Sequence, residues 1–296
     1  MIEPAIQAPA RTVRVGFIGL GSQGGPMAHR ILEAGHPTTL WARRPETLAS
    51  YRDTSAEFAD SPADLASRVE LACVCVVDDA GVEEVVAGPN GLLASMAAGG
   101  IIVVHSTVHP ETCARLARQA ADRGISLLDA PVSGGGEAAA AGRLLVMVGG
   151  DSVALERCRP VFASYGDPIV HLGPVGAGLR AKLINNLMLA ANLGVLESGY
   201  ALARSLQVEP EHLATVLRNG SGNSFAVNVL RSGDFTLAGL GGPVGTLLQK
   251  DVRLVTDLAR SSGAQLGTVL AAADSALESL GSPRLAPAHS VDEPIA

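Results

Sequence analysis

Lys182 and Asn186 stand one helical turn apart in Gly178-Leu-Arg-Ala-Lys182-Leu-Ile-Asn185-Asn186, about fifty residues after the run Asp129-Ala-Pro-Val-Ser-Gly-Gly135. An ammonium and an amide on one helix face can exchange a proton with a hydroxyl or carbonyl oxygen and hold it in place. A strand running into a glycine-rich turn exposes backbone N–H groups suited to a carboxylate, and Ser133, Gly134 and Gly135 form such a turn. Upstream, Gly19-Leu20-Gly21-Ser22-Gln23-Gly24 follows the apolar run Val13–Ile18 and opens a helix-compatible segment. In that context the glycines serve a tight turn, close backbone approach to a pyrophosphate, and a helix N-terminus facing the phosphates. Dinucleotide turn, anion turn and lysine, in that order, predict a nicotinamide enzyme acting on a small carboxylate.

A lone helical lysine is usually a solvated surface residue. Here its neighbours Leu179, Ala181, Leu183 and Ile184 are apolar, and Asn185-Asn186 are poor helix formers that need a tertiary reason to lie inside a helix. A partly desolvated ammonium has its pKa lowered toward neutrality, which suits proton exchange. At the end of the second predicted strand, Trp41-Ala-Arg43-Arg44-Pro45 has no carboxylate before Glu46. An acidic residue there would accept from a ribose 2′-OH, whereas two guanidiniums suit a 2′-phosphate, so NADP is expected over NAD. Val77, at the end of another apolar run, is a further cofactor candidate. Ser106 and Thr107 follow the run Ile101–Val104 at the sheet edge where ligands bind. Their hydroxyls suit the nicotinamide ribose or the substrate, and equally an N-cap for a helix beginning near Pro110.

These residues must be positioned by elements. Val13–Ile18, Thr38–Trp41, Leu71–Val77, Ile101–His105, Ile125–Asp129, Leu144–Val148 and Pro168–His171 read as strands. Helical segments lie between them at Gln23–Ala34, Pro45–Asp53, Pro62–Arg68, Val82–Val86, Pro110–Arg123 and Asp151–Phe162. That alternation is the pattern of a parallel sheet with helices on both faces. From Leu179 onward only helical periodicity is evident. Leu179, Leu183, Leu187, Ala190, Ala191 and Gly194 line one side of a helix reaching roughly Arg204. Further helices are expected at Glu209–Arg218, Phe225–Ser232, Thr246–Ser262 and Leu266–Leu280. The division expected is residues 1–173 for the cofactor and 174–296 for substrate and oligomerisation. The tail from Ser282, with three prolines in fifteen residues, reads as mobile.

Composition excludes other classes. A net charge of −7 argues against nucleic acid or an anionic membrane surface as partner. The start, Met1 to Arg14, has no basic region followed by an apolar run of signal length, and the first apolar stretch, Val13–Leu20, is too short to span a bilayer, so a cytoplasmic location is the expectation. Cys73, Cys75, Cys113 and Cys158 read as buried thiols of a reducing compartment. The seven histidines show no metal-ligand spacing, so no metal is expected.

Four blocks resemble the β-hydroxyacid dehydrogenases, the family of 3-hydroxyisobutyrate dehydrogenase and tartronate semialdehyde reductase. They are Gly16-Phe-Ile-Gly-Leu-Gly21 with Gly25-Pro-Met-Ala28; Asp129–Gly135 with Met147-Val-Gly-Gly150; Gly176–Asn186; and Lys250-Asp251. The resemblance implies an α/β Rossmann-type N-terminal domain plus an all-α C-terminal domain joined by a long helix, and a homodimer or homotetramer built through that helix. It implies Lys182 as catalytic acid/base, Ser133, Gly134, Gly135 and Asn186 around the substrate, and Lys250 near the cofactor. The activity implied is interconversion of a short 3-hydroxy acid and its semialdehyde or ketone. Departures are Gln23, where the family has methionine, the apolar segment Leu240–Gly245, and Ala273-Asp-Ser-Ala276, which resembles a terminal family element arriving early. Three other readings differ from this one at particular residues or elements. Imine reductases share the architecture but carry aspartate or tyrosine in place of Lys182. 6-Phosphogluconate dehydrogenase needs a longer helical domain. A non-catalytic NADP-binding scaffold would not require the Lys182–Asn186 pair.

Overall fold

The strands form because short apolar runs are covered on both faces, which removes the polar alternation of a half-exposed sheet. In the computed structural model, which describes residues 12–240 and 242–284, these runs become β1 (Val15–Ile18), β2 (Thr38–Trp41), β4 (Leu71–Val74), β5 (Ile101–Val104) and β6 (Ser126–Asp129). Successive residues serve opposite cores. Phe17, Cys73 and Val103 pack with Met27, Ile31, Leu155 and Phe162 on one face. Ile18, Val74 and Val104 pack with Leu65, Val82 and Leu116 on the other. The helices supplying those layers are α1 (Gly24–Glu33), α2 (Pro62–Arg68), α3 (Asp79–Ala87), α4 (Pro110–Ala121), α5 (Gly135–Ala140) and α6 (Ser152–Phe162). Pro62 and Pro110 occupy first-turn positions.

Among the described residues the sheet has nine strands, with β3 (Glu57–Phe58), β7 (Val132–Ser133), β8 (Leu144–Gly149) and β9 (Gly166–Gly173) completing it. The order is β3-β2-β1-β4-β5-β6-β8-β7, with β9 paired to β8. The pairs from β3 to β6 are parallel. Strand β8 runs antiparallel to β6 and β7, so the sheet is mixed rather than wholly parallel. The chain leaves β1 toward β2 and returns on its other side as β4, which makes the carboxyl end of β1 the switch point where such sheets bind ligands.

Several expected boundaries shift. The run predicted to continue to Val77 ends as a strand at Val74, and Pro45–Tyr51 is a 3₁₀ helix rather than an α-helix. The segment expected at Val82–Val86 grows to the whole of α3 because Asp78 caps it, accepting the Gly81 N–H at 2.8 Å. β3, β7 and α5 are too short to leave a periodic signal.

The remaining helices are α7 (Ala177–Ser205), α8 (Pro210–Asn219), α9 (Phe225–Ser232), α10 (Gly242–Ser262) and α11 (Gly267–Ser279). Two compact units part between Lys182 and Leu183, within α7. In the second unit Leu183, Leu187, Ala190, Ala191 and Tyr200 of α7 pack with Leu230, Val252 and Leu277. A side chain at Gly194 would collide with the Ala272 carbonyl of α11. The apolar stripe Leu179–Gly194 read from the sequence is therefore largely taken up by core packing, most of it in this unit. A different face of α7 leaves apolar side chains exposed: Ile184, Met188, Val195 and Leu202. The tail expected to be mobile lies outside the described residues from 285 on.

Candidate active site

The glycine fingerprint is built for close backbone approach. Gly19 has φ +97°, and a Cβ there would strike the Cys75 carbonyl. One at Gly24 would strike Gly19's own carbonyl, so α1 starts tight against the turn. At Gly21 a Cβ would meet nothing within 4 Å. A bare backbone thus faces open space at the N-terminus of a ten-residue helix with no acidic residue in its first turn, which fits a pyrophosphate.

The second glycine turn lies against the first. Ser133 ends β7, Gly134 and Gly135 have φ of +134° and +76°, and α5 begins at once. A Cβ on Gly136 would stand 2.7 Å from the Ser22 carbonyl oxygen. Gln23 Nε2 reaches within 3.5 Å of the Gly135 carbonyl, a long contact that gives this family departure a local partner. Leu20 packs at the margin of the adjoining core. The two motifs read separately from the sequence are one surface of the first unit.

What fixes this surface was not singled out from the sequence. Asp129 is fully buried at the end of β6, and its carboxylate accepts the N–H of Gly176 at 2.6 Å and of Leu179 at 2.8 Å. It thereby holds the start of α7, the helix that carries Lys182. Burial pushes its carboxyl above the usual range, and the two backbone N–H bonds oppose that shift. Side chains on Gly149 or Gly178 would collide with the Asp129 carboxylate or the Met147 carbonyl. The blocks around Asp129, Met147–Gly150 and Gly176–Gly178 are thus one packing arrangement. His105, also buried, places Nδ1 2.6 Å from the Ala130 carbonyl and Nε2 3.2 Å from the Tyr165 hydroxyl. Burial lowers its pKa to about 4, so near neutral pH it is an uncharged brace on the strand leading to Ser133.

Lys182 is half-buried on α7. One turn on, in the second unit, Asn186 is buried and its Nδ2 donates to Asp251 Oδ2 at 2.5 Å. Its Oδ1 accepts from Asn185 Nδ2 at 3.1 Å. Lys250 Nζ pairs with Asp251 Oδ1 at 3.1 Å. The tertiary reason for an asparagine inside this helix is therefore Asp251, which fixes the direction of the Asn186 amide. The Lys250-Asp251 block of the family resemblance supplies both members of this ion pair.

The remaining candidates lie along the carboxyl edge. Val77 is exposed beyond β4. The Ser106 hydroxyl is buried and accepts the Val76 N–H at 2.8 Å, tying the loops after β4 and β5 together. It is not the α4 N-cap: that is His109, whose side chain accepts the Glu111 N–H. Thr107 is partly exposed beside it. Arg43 and Arg44 are exposed just past β2. Arg43 Nη2 donates to Glu84 Oε2 of α3 at 2.7 Å, so the fold supplies a carboxylate that the local sequence lacks. The four cysteines are free thiols. Among the described residues there is no cluster of metal-ligating side chains and no helix long and apolar enough to cross a membrane. A cavity lined by Val13, Leu71, Ile101 and Pro160 lies at the strands' amino ends, away from these groups.

A mixed sheet with a dinucleotide turn at its switch point, followed by a helical unit, defines an NAD(P)-dependent oxidoreductase. Residues 14–173 match the NAD binding domain of 6-phosphogluconate dehydrogenase, and residues 176–286 match the NAD-binding domain of NADP-dependent 3-hydroxyisobutyrate dehydrogenase. The chain is 35% identical to the 3-hydroxyisobutyrate dehydrogenase of Pseudomonas aeruginosa, over 87% of this chain and 88% of that protein. It is 34% identical to the NAD-dependent L-serine dehydrogenase of the same organism, over 84% and 86%. The 3-hydroxyisobutyrate dehydrogenase of Mycobacterium tuberculosis solved with L-serine superposes with a TM-score of 0.79 at 26% identity, covering 93% of this chain and 97% of that one. The chain belongs to the β-hydroxyacid dehydrogenase family and is a hydroxyacid oxidoreductase.

Proposed function

We propose that the protein is an NADP-preferring dehydrogenase that interconverts a short 3-hydroxy acid and its semialdehyde or ketone, with Lys182 exchanging the proton. The observation that carries this reading is the packing of the Ser133–Gly135 anion turn against the dinucleotide turn. The relatives act, by their names, on 3-hydroxyisobutyrate and L-serine, which share a hydroxyl on the carbon β to a carboxylate. When bound, the nicotinamide accepts or donates the hydride. In oxidation Lys182, as the neutral amine, takes the hydroxyl proton; in reduction the ammonium returns it to the carbonyl oxygen. Asn186, steadied by Asp251, orients that oxygen, and the Ser133–Gly135 backbone with the Ser133 hydroxyl holds the carboxylate. The test is oxidation of a 3-hydroxy acid beside its methyl ester. Loss of most kcat/KM with the ester is expected, and equal use of both would refute the anion turn.

Arg43 and Arg44 support NADP over the NAD used by the serine dehydrogenase relative. Replacing both with alanine should remove most of the preference, since each charge-assisted phosphate contact contributes roughly 1.5–3 kcal/mol. Titrations in which the unaltered protein binds NADH more tightly than NADPH would refute it. The exposed face Ile184, Met188, Val195 and Leu202 advances by four, seven and seven residues, one stripe on α7. A homodimer or homotetramer covering it is expected in sedimentation, and a stable 30.1 kDa monomer at micromolar concentration would contradict this.

A further inference from the structure

We propose that Glu84 is a cofactor-selectivity residue, whose ion pair with Arg43 closes over the adenosine end of the cleft and must open before Arg43 can hold a 2′-phosphate. The inference rests on the NADP reading above and assigns it a second, opposing group. Arg43 lies just past the carboxyl end of β2, and Glu84 lies in α3, which follows β4. In the sheet β1 stands between those two strands. The 2.7 Å contact between Arg43 Nη2 and Glu84 Oε2 therefore bridges from one side of the fingerprint strand to the other, at the switch point.

Both side chains are about two-thirds exposed, at 68% and 67%, so the pair contributes little to stability and is easily exchanged. A phosphate carrying close to two negative charges competes for the guanidinium far better than a neutral ribose hydroxyl does. The displaced carboxylate stays nearby and repels that phosphate. Glu84 thus lowers NADP affinity selectively, and a cofactor without the 2′-phosphate gains little from its removal.

The experiment is calorimetric titration of NADP+ and NAD+ into the full-length protein and the variants Glu84→Gln, Arg43→Gln and the double variant, at low salt. Glu84→Gln should tighten NADP+ binding roughly three- to tenfold and leave NAD+ within about twofold. Arg43→Gln should weaken NADP+ binding, and in that background Glu84→Gln should give no further tightening. Unchanged NADP+ affinity in Glu84→Gln, with weakening in Arg43→Gln, would overturn the role of Glu84 and leave the NADP preference standing. Equal tightening of both cofactors by Glu84→Gln would overturn selectivity. Undiminished NADP+ affinity in Arg43→Gln would overturn the Arg43–Glu84 proposal and leave the NADP preference to Arg44.

Discussion

Lys182→Ala is expected to fold normally, bind NADPH with nearly unchanged affinity, and lose roughly 10²–10⁴-fold in turnover, the usual contribution of a positioned acid or base. The residue sits half-buried in the long helix α7, among Leu179 and Leu183, which are fully buried. Alanine is the best helix former, so the backbone should tolerate the change. Lys182→Arg should restore little, because a guanidinium stays protonated and cannot take a proton from the hydroxyl. In the oxidation direction the unaltered enzyme should speed up as pH rises and the ammonium deprotonates, and the alanine variant should lose that dependence. Steady-state rates across pH, with cofactor affinity measured separately, check each part. A variant that kept most of its activity and its pH profile would remove Lys182 from the chemistry.

Asp129→Ala should produce the largest stability loss. The carboxylate accepts two backbone N–H groups in a fully buried site, and alanine leaves both without that acceptor. Each unsatisfied buried donor costs roughly 1–3 kcal/mol, giving about 2–6 kcal/mol together. Asparagine offers no escape, since its amide nitrogen would face one of the two N–H groups. The pH consequence has a definite sign. Because burial raises the carboxyl pKa in the folded state, ionising Asp129 opposes folding, and the native protein gains from this group as pH falls through the folded-state pKa toward the unfolded value. Trp41, the single tryptophan, lies in the same unit as Asp129, so denaturant titration followed by its fluorescence reports the loss. A midpoint equal to that of the unaltered protein would show that the start of α7 does not depend on this carboxylate.

Sequence reading reached what local pattern encodes. The buried strands leave continuous apolar runs, the fingerprint sits between a strand and a helix, and Lys182 with Asn186 follows helical spacing. The partners of those residues were not legible. Asp129 meets Gly176 and Leu179 across 47 and 50 residues, Asn186 meets Asp251 across 65, and Arg43 meets Glu84 across 41. No periodicity connects positions so far apart, and only the family blocks hinted that they belong together. The amphipathic reading of α7 found a real face, but spacing alone does not say what covers it. Counting apolar positions cannot tell a stripe that packs on α11 from one that meets another chain.

The most direct measurement is the change in nicotinamide absorbance when the purified protein is offered NADP+ with a panel of short 3-hydroxy carboxylates, including 3-hydroxyisobutyrate and L-serine, and NADPH with cyclic imines. A Lys182-dependent hydroxyacid dehydrogenase should reduce NADP+ with at least one hydroxy acid, leave the imines untouched, and lose the activity in Lys182→Ala. Turnover of imines with none of the hydroxy acids, undiminished in that variant, would contradict it.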